Sequence, residues 1–128
     1  MRETWDMKRL SDVRGKDVWS SDGEKIGSIQ EIYYDDVTGS PEWVGLGTGF
    51  LGMKKRVVPV ENLMPEGDHY TVPWSKTKVQ EEPDWDAEGD SLSTQDEQVL
   101  CGYFGVTGEH SHSTRLLRPG EDYRGPML

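Results

Sequence analysis

The sequence has one cysteine, two phenylalanines and 14 basic residues against 24 acidic ones. A single thiol, that of Cys101, excludes an internal disulfide and any cysteine-rich zinc or iron–sulfur site, and we expect it to be half-buried and unreactive. No apolar run is long enough to cross a membrane, and the start of the chain lacks the apolar stretch of a secretory signal. We therefore expect a cytoplasmic protein without membrane insertion.

Basic residues are scarce, and the net charge of the 128-residue chain is −10. The most acidic zone is 75–107, where 2 basic side chains face 8 acidic ones. Such a zone repels phosphates and anionic lipid headgroups, so we expect no nucleic-acid partner. The shape of a small β domain would allow it to bind RNA, but the negative net charge argues against this role.

Short segments rich in β-branched and aromatic residues, separated by turn residues, fill the first 80 positions. This pattern predicts five or six short strands that curl into a closed barrel and so protect their edges. Gly23 is expected in a turn, and a bulge is expected near Gly27 because Ile26, Ile29 and Ile32 break strict alternation. The predicted strands are Val13–Ser20, Lys25–Tyr34, Trp43–Thr48, Val57–Val60 and Tyr70–Trp74.

Helical signals follow the strands. Ser75 can cap a helical turn that ends before Pro83, and Ser93 can cap a longer helix that stops at Gly105. The longer helix has an apolar stripe that packs either on its own barrel or on a second copy. The stripe consists of Val99, Leu100, Tyr103 and Phe104.

An ordered set of short motifs carries a family resemblance. The motifs are Leu10–Val18, Asp22–Ile29, Tyr34–Gly39, Trp43-Val44 and Val57–Val60. In this order they resemble a PRC-barrel domain, the small barrel of the cytoplasmic part of the photosynthetic reaction-centre H subunit and of a ribosome-maturation factor. The resemblance implies a six-stranded barrel that docks proteins or positions a neighbouring cofactor, with no catalytic constellation to transfer.

The fold class that follows is mainly β: a free-standing, six-stranded PRC-type barrel, then a short C-terminal helix and a flexible tail. The expected parts are an N-terminal extension (1–9), the barrel (10–80), an acidic linker (81–92), the helix (93–105) and the tail (106–128).

Apolar residues in loops are candidates for an interface. Phe50, Leu51 and Met53 lie where a hairpin tip is usually polar, so they either bind a partner or fold back over the barrel. Trp85 lies in an acidic loop and is a further candidate, unless its indole packs on the same barrel. The stripe residues Leu100, Tyr103 and Phe104 complete the interface candidates, and the glycines with structural roles are Gly23, Gly27, Gly39, Gly49 and Gly52.

Reactive groups are poorly represented. Cys101 has no activating base nearby in sequence, although the fold can bring His69 close, and His110 with His112 is only half a metal site. The basic run Lys54–Arg56 is expected to guard a strand edge. We therefore expect a non-enzymatic adaptor with a protein partner, a homodimer as the preferred state, and no cofactor or metal. The alternative is an accessory protein that binds a small ligand or redox cofactor at the barrel mouth.

Overall fold

The computed structural model describes residues 14–35, 41–49, 52–85, 91–106 and 115–117. Its eight strands are β1 (Asp17–Trp19), β2 (Lys25–Asp35), β3 (Pro41–Thr48), β4 (Lys54–Pro59), β5 (Met64–Glu66), β6 (His69–Thr71), β7 (Ser91–Ser93) and β8 (Arg115–Leu117). A 3₁₀ turn spans Val60–Asn62, and the two helices are α1 (Lys76–Gln80) and α2 (Thr94–Phe104). The mainly β class with a short C-terminal helix is confirmed.

Six of the strands form one path in the order β4-β3-β2-β1-β6-β5, and β7 and β8 branch from it at β2. Neighbours are antiparallel except β1 with β6. Within the described residues, the end strands β4 and β5 do not pair with each other. The sheet is thus barrel-like but open, and the expected closed barrel is corrected on this point.

Strand β2 has the bulge that its isoleucine spacing predicted. Val18 pairs with Gly27 while Trp19 pairs with Lys25, so Ile26 is the extra residue on β2. Ile26, Ile29 and Ile32 are all buried. The bulge therefore resets the inward face of β2 as expected.

Three short strands lie in segments where the sequence predicted none, and the first of them is β5, Met64–Glu66. Ser91–Ser93, at the end of the expected linker, forms β7, and Arg115–Leu117 of the expected tail forms β8. β8 pairs with β7 and with β2, where Tyr34 faces Leu117. For residues 115–117 the expectation of a structureless tail is therefore corrected.

Both helices begin at the predicted serines. The Ser75 hydroxyl accepts a hydrogen bond from the Lys78 amide, and the Ser93 hydroxyl accepts one from the Asp96 amide. Helix α2 ends at Gly105, whose φ of 71° is the left-handed conformation expected of a glycine cap. These local predictions are confirmed.

The core joins α2 to the sheet through aromatic rings. Phe104 lies 4.7 Å from Trp74 and 6.3 Å from Trp43 between ring centroids, and Trp43 is fully buried. Trp19 and Trp74 are half-buried at the rim. Tilted ring contacts of this kind add stabilisation to the apolar area that they bury. Helix α2 is thus part of the domain core.

Strands β2 and β3 approach each other closely at Gly27. A Cβ atom added to Gly27 would lie 2.2 Å from the carbonyl oxygen of Gly47, so no side chain fits there. We expect Gly27→Ala to destabilise the protein by about 3 kcal/mol, because the backbone itself must move. Urea unfolding followed by circular dichroism measures this change.

Gly102→Ala is the matched control. Gly102 lies in α2 with open space around its Cα, so alanine should raise the free energy of unfolding by about 0.5–1 kcal/mol through better helix propensity. A Gly27→Ala protein as stable as the wild type would contradict the close approach of the two strands.

Candidate interaction surfaces

The hairpin between β3 and β4 has a tightly turned end. Thr48 pairs with Lys54, and the Gly52 amide donates a 3.1 Å hydrogen bond to the Gly49 carbonyl. Gly49 and Gly52 have φ values of 74° and 65°, which explains why glycine stands at both positions. Met53, which follows, is 76% exposed.

The structure describes two of the other glycines for which a structural role was predicted, Gly23 and Gly27. Gly23 has a positive φ in its turn, whereas Gly27 does not and owes its place to close packing. Phe50, Leu51 and Gly39 lie outside the described residues. The interface role of Phe50 and Leu51 therefore stays a prediction.

A groove of about 520 Å³ adjoins this hairpin, and we call it the hairpin groove. It lies between the start of β2, the end of β3, the hairpin glycines that follow β3, and helix α1. Its lining residues are Lys25, Ile26, Gly27, Ser28, Gly47, Thr48, Gly49, Gly52, Lys76 and Gln80. Four of these ten residues are glycines, of which Gly49 is exposed, Gly52 is half-buried, and Gly27 and Gly47 are buried.

The basic run of β4 is divided among different contacts. Lys55 Nζ lies 3.2 Å from Glu31 Oε1, and Arg56 donates through Nε to the Gln80 carbonyl at 3.0 Å. Lys54 is exposed beside the groove end. The three residues therefore do not form one patch, because alternate strand residues face opposite ways.

The stripe of α2 faces its own sheet. Leu100 and Phe104 are 1% and 5% exposed, so they belong to the core. Leu100 and Phe104 are therefore not interface residues, which corrects that prediction. Of the two expected alternatives, packing on the same chain is the one that the structure has for them. Tyr103 is half-buried, donates its hydroxyl proton to the Lys78 carbonyl at 2.6 Å and has Lys78 Nζ over its ring. Val99 is 48% exposed.

Trp85 is fastened to the domain by its indole. Its Nε1 donates a 2.8 Å hydrogen bond to Glu82 Oε1, and its ring meets that of Tyr33 edge-on at 6.0 Å. Trp85 is half-buried and packs against the core. Of the two alternatives for this residue, the indole packed on its own domain is the one that the structure has.

Glu82 is a buried carboxyl that the sequence did not single out. Its Oε1 also accepts a 2.8 Å hydrogen bond from the Val57 amide. This amide points away from β3, along the edge of β4 that has no neighbouring strand among the described residues. The Glu82 carboxyl therefore gives this edge amide a hydrogen-bond acceptor. Oε2 is buried without a hydrogen-bond partner among the described residues. Burial raises the pKa of Glu82 to about 8, despite the Val57 and Trp85 hydrogen bonds and the Arg56 charge, which lower it.

A second cavity, of about 410 Å³, lies beside β1, β5 and β6, and we call it the Trp19 cavity. The rings of Trp19 and His69 lie 5.7 Å apart in its wall. The exposed Met64 and the turn residues Ser20, Ser21 and Gly23 contribute further lining. An aromatic wall of this kind can contact a flat or apolar group.

Reactive and metal-ligating groups are arranged as follows. Cys101 is buried, and burial together with the negative charges of Glu97, Glu42 and Glu61 raises its pKa to about 11. A thiol with this pKa is a poor nucleophile at neutral pH.

Among the described residues, no three His, Cys, Asp or Glu side chains come together as metal ligands, and His110 and His112 lie outside the described residues. No helix in the described part of the chain is long and apolar enough to span a bilayer.

Fold and surfaces together define a small barrel-like β domain that presents a glycine-lined groove and an aromatic cavity. Residues 6–79, more than half of the chain, match the sequence model of the PRC-barrel domain. The chain therefore belongs to the PRC-barrel family. Membership indicates, in general terms, a module for protein interaction. A search of curated proteins finds no match to this chain.

The raised pKa of Glu82 predicts a stability that depends on pH. Because the folded-state pKa of about 8 exceeds the ordinary value of 4.5, the folded protein holds an extra proton between these values, and the free energy of unfolding falls as pH rises from about 5 to 8. Glu82→Gln keeps an oxygen acceptor for Val57 and Trp85 but cannot ionise. We expect it to be more stable than the wild type at about pH 8, by a few kcal/mol at most, and similar at about pH 5.

Urea unfolding at several pH values measures the difference between the two proteins. Glu81→Gln removes an exposed neighbouring carboxylate and controls for the loss of one negative charge. Parallel pH profiles for wild type and Glu82→Gln would contradict the assignment of a buried, neutral carboxyl.

Proposed function

We propose that this protein is a non-enzymatic, cytoplasmic adaptor that binds a protein partner and self-associates as a homodimer. Family membership supports an interaction role in general. The observation that carries the finer proposal is Met53, which projects 76% exposed from the end of the β3–β4 hairpin. A thioether at this position contributes apolar contact area that remains in water in a single copy.

The sequence beside Met53 extends this apolar segment, because Phe50 and Leu51 are its near neighbours. Burying apolar surface stabilises association by roughly 25 cal/mol per Å², from which the entropy of association must be subtracted. A few such side chains from each copy are enough for a dimer of micromolar affinity but not for an obligate one. We therefore place self-association at this hairpin.

Sedimentation velocity tests this placement. We expect the wild type to be a dimer at tens of micromolar and the triple variant Phe50→Ser, Leu51→Ser, Met53→Ser to be a monomer, because the variant loses the apolar surface of the hairpin. Met64→Ser is the matched control: it removes an exposed methionine, 60% accessible, from β5, and should leave the dimer intact.

A wild type that stays monomeric at these concentrations would remove the proposal of self-association. A dimer that survives in the triple variant would place the interface elsewhere on the domain.

The Trp19 cavity favours a second candidate function, that of an accessory protein for a small ligand or redox cofactor. Its Trp19 and His69 rings offer a surface on which a flat molecule can stack. For this function we expect a chromophore in the absorbance spectrum of freshly purified protein, or a rise in melting temperature with a flavin or nicotinamide. Trp19→Ala should abolish the rise. A colourless protein with no thermal shift across a cofactor panel would count against it.

A further inference from the structure

We propose that the hairpin groove binds an extended acidic peptide segment of a partner protein, with Lys25 and Lys76 pairing with its carboxylates. This inference rests on the proposed adaptor function and names the chemistry of the partner. It depends on the charge of the groove and on the composition of its wall.

The groove has a charge opposite to that of the chain as a whole. Its lining contains two lysines and no aspartate or glutamate, while the net charge of the chain is −10. Lys25 comes from the start of β2 and Lys76 from the start of α1, so the two ammonium groups are supplied by separate elements. A concave surface lined by one sign of charge attracts a ligand of the opposite sign.

Both lysines are available to a ligand. Lys76 makes no ion pair with any residue that the structure describes. Lys25 lies 3.2 Å from Asp17, but their side chains are 52% and 40% exposed. A solvent-exposed pair of this kind contributes little to stability, so the lysine can exchange it for a ligand carboxylate at small cost.

The hairpin end of the groove leaves room for an extended main chain. Gly49 is exposed and Gly52 is half-buried there, and their missing side chains allow another backbone to approach, whereas Gly27 and Gly47 are buried. The half-buried Ser28 and Gln80 add a hydroxyl and an amide group to the lining. These groups can hydrogen-bond to peptide units without selecting a particular side chain.

The net charge of the chain favours a short peptide over a nucleic acid. A long polyanion would extend beyond the two lysines over a chain whose net charge is −10, which weakens its binding. A short segment with two or three carboxylates meets only the groove.

Nuclear magnetic resonance titration tests the proposal with a capped hexaglutamate peptide as the probe and capped hexaglutamine as the uncharged control. With ¹⁵N-labelled wild type at low salt, hexaglutamate should shift the amides of Gly27, Ser28, Thr48, Gly49 and Gly52, while hexaglutamine should not. The Lys25→Gln, Lys76→Gln double variant should weaken the apparent affinity at least tenfold. Salt at about 0.3 M should weaken wild-type binding in the same direction.

The matched control removes the same charge elsewhere. Lys55→Gln with Lys78→Gln alters two lysines that contact Glu31 and Tyr103 instead of the groove, one of them on the same helix as Lys76, and should bind hexaglutamate like the wild type. Amide dispersion shows whether each variant is folded. The salt series on wild type tests the charge requirement without any variant.

Several results would overturn the proposal: no shifts at millimolar peptide, shifts scattered away from the groove, or equal binding by the groove double variant. Saturation of the same amides by inorganic phosphate without preference for the peptide would replace it with a small-anion site. Tighter binding of a single-stranded oligonucleotide would replace it with a nucleic-acid site. A wild type that self-associates but gives no groove shifts overturns this inference alone, whereas a monomer that binds hexaglutamate overturns only the homodimer.

Discussion

The close contact between β2 and β3 at Gly27 and Gly47 is the constraint on which the arrangement of this domain depends. The carbonyl of Gly47 occupies the space where a side chain of residue 27 would lie, so the two strands meet with nothing but backbone between them. This approach sets the position of the bulged start of β2 against the end of β3. Both glycines also border the hairpin groove, so this contact lies where the sheet meets the surface beside it.

The two ends of the open sheet are protected in different ways. On β4, the carboxyl of Glu82 accepts the Val57 amide and Arg56 donates to the Gln80 carbonyl, so the segment after α1 covers the edge. On β5 the strand has three residues, and Pro65 in its middle has no amide proton to offer. A short edge with a proline resists pairing with another chain. Association through either of these two edge strands is therefore disfavoured.

Much of the local structure could be predicted from the sequence because its causes are local. Ser75 and Ser93 cap helices and Gly105 ends one, and each of these effects depends on residues within one turn. The bulge near Gly27 followed from the spacing of three isoleucines. The short segments rich in β-branched and aromatic residues predicted the mainly β architecture, and the family resemblance agreed with that prediction.

The missed features depend on contacts between residues far apart in the chain. Nothing in the sequence around Glu82 shows that its carboxyl meets Val57, or that this environment keeps it protonated. The division of Lys54–Arg56 among separate partners and the burial of Leu100 and Phe104 likewise depend on which segments lie against them. The hairpin groove was missed for the same reason, since its lysines come from β2 and α1 and only the fold brings them together.

The pairing of β8 with β2 affects the order in which the domain folds. Tyr34 and Leu117 pair across about 80 positions of sequence, and β8 also borders β7, which directly precedes α2. A pairing of such high contact order closes a long loop and is entropically slow to form. Because β2 and β3 pair with each other over a short stretch of chain, we expect them to form first and β8 to join a sheet that is already assembled.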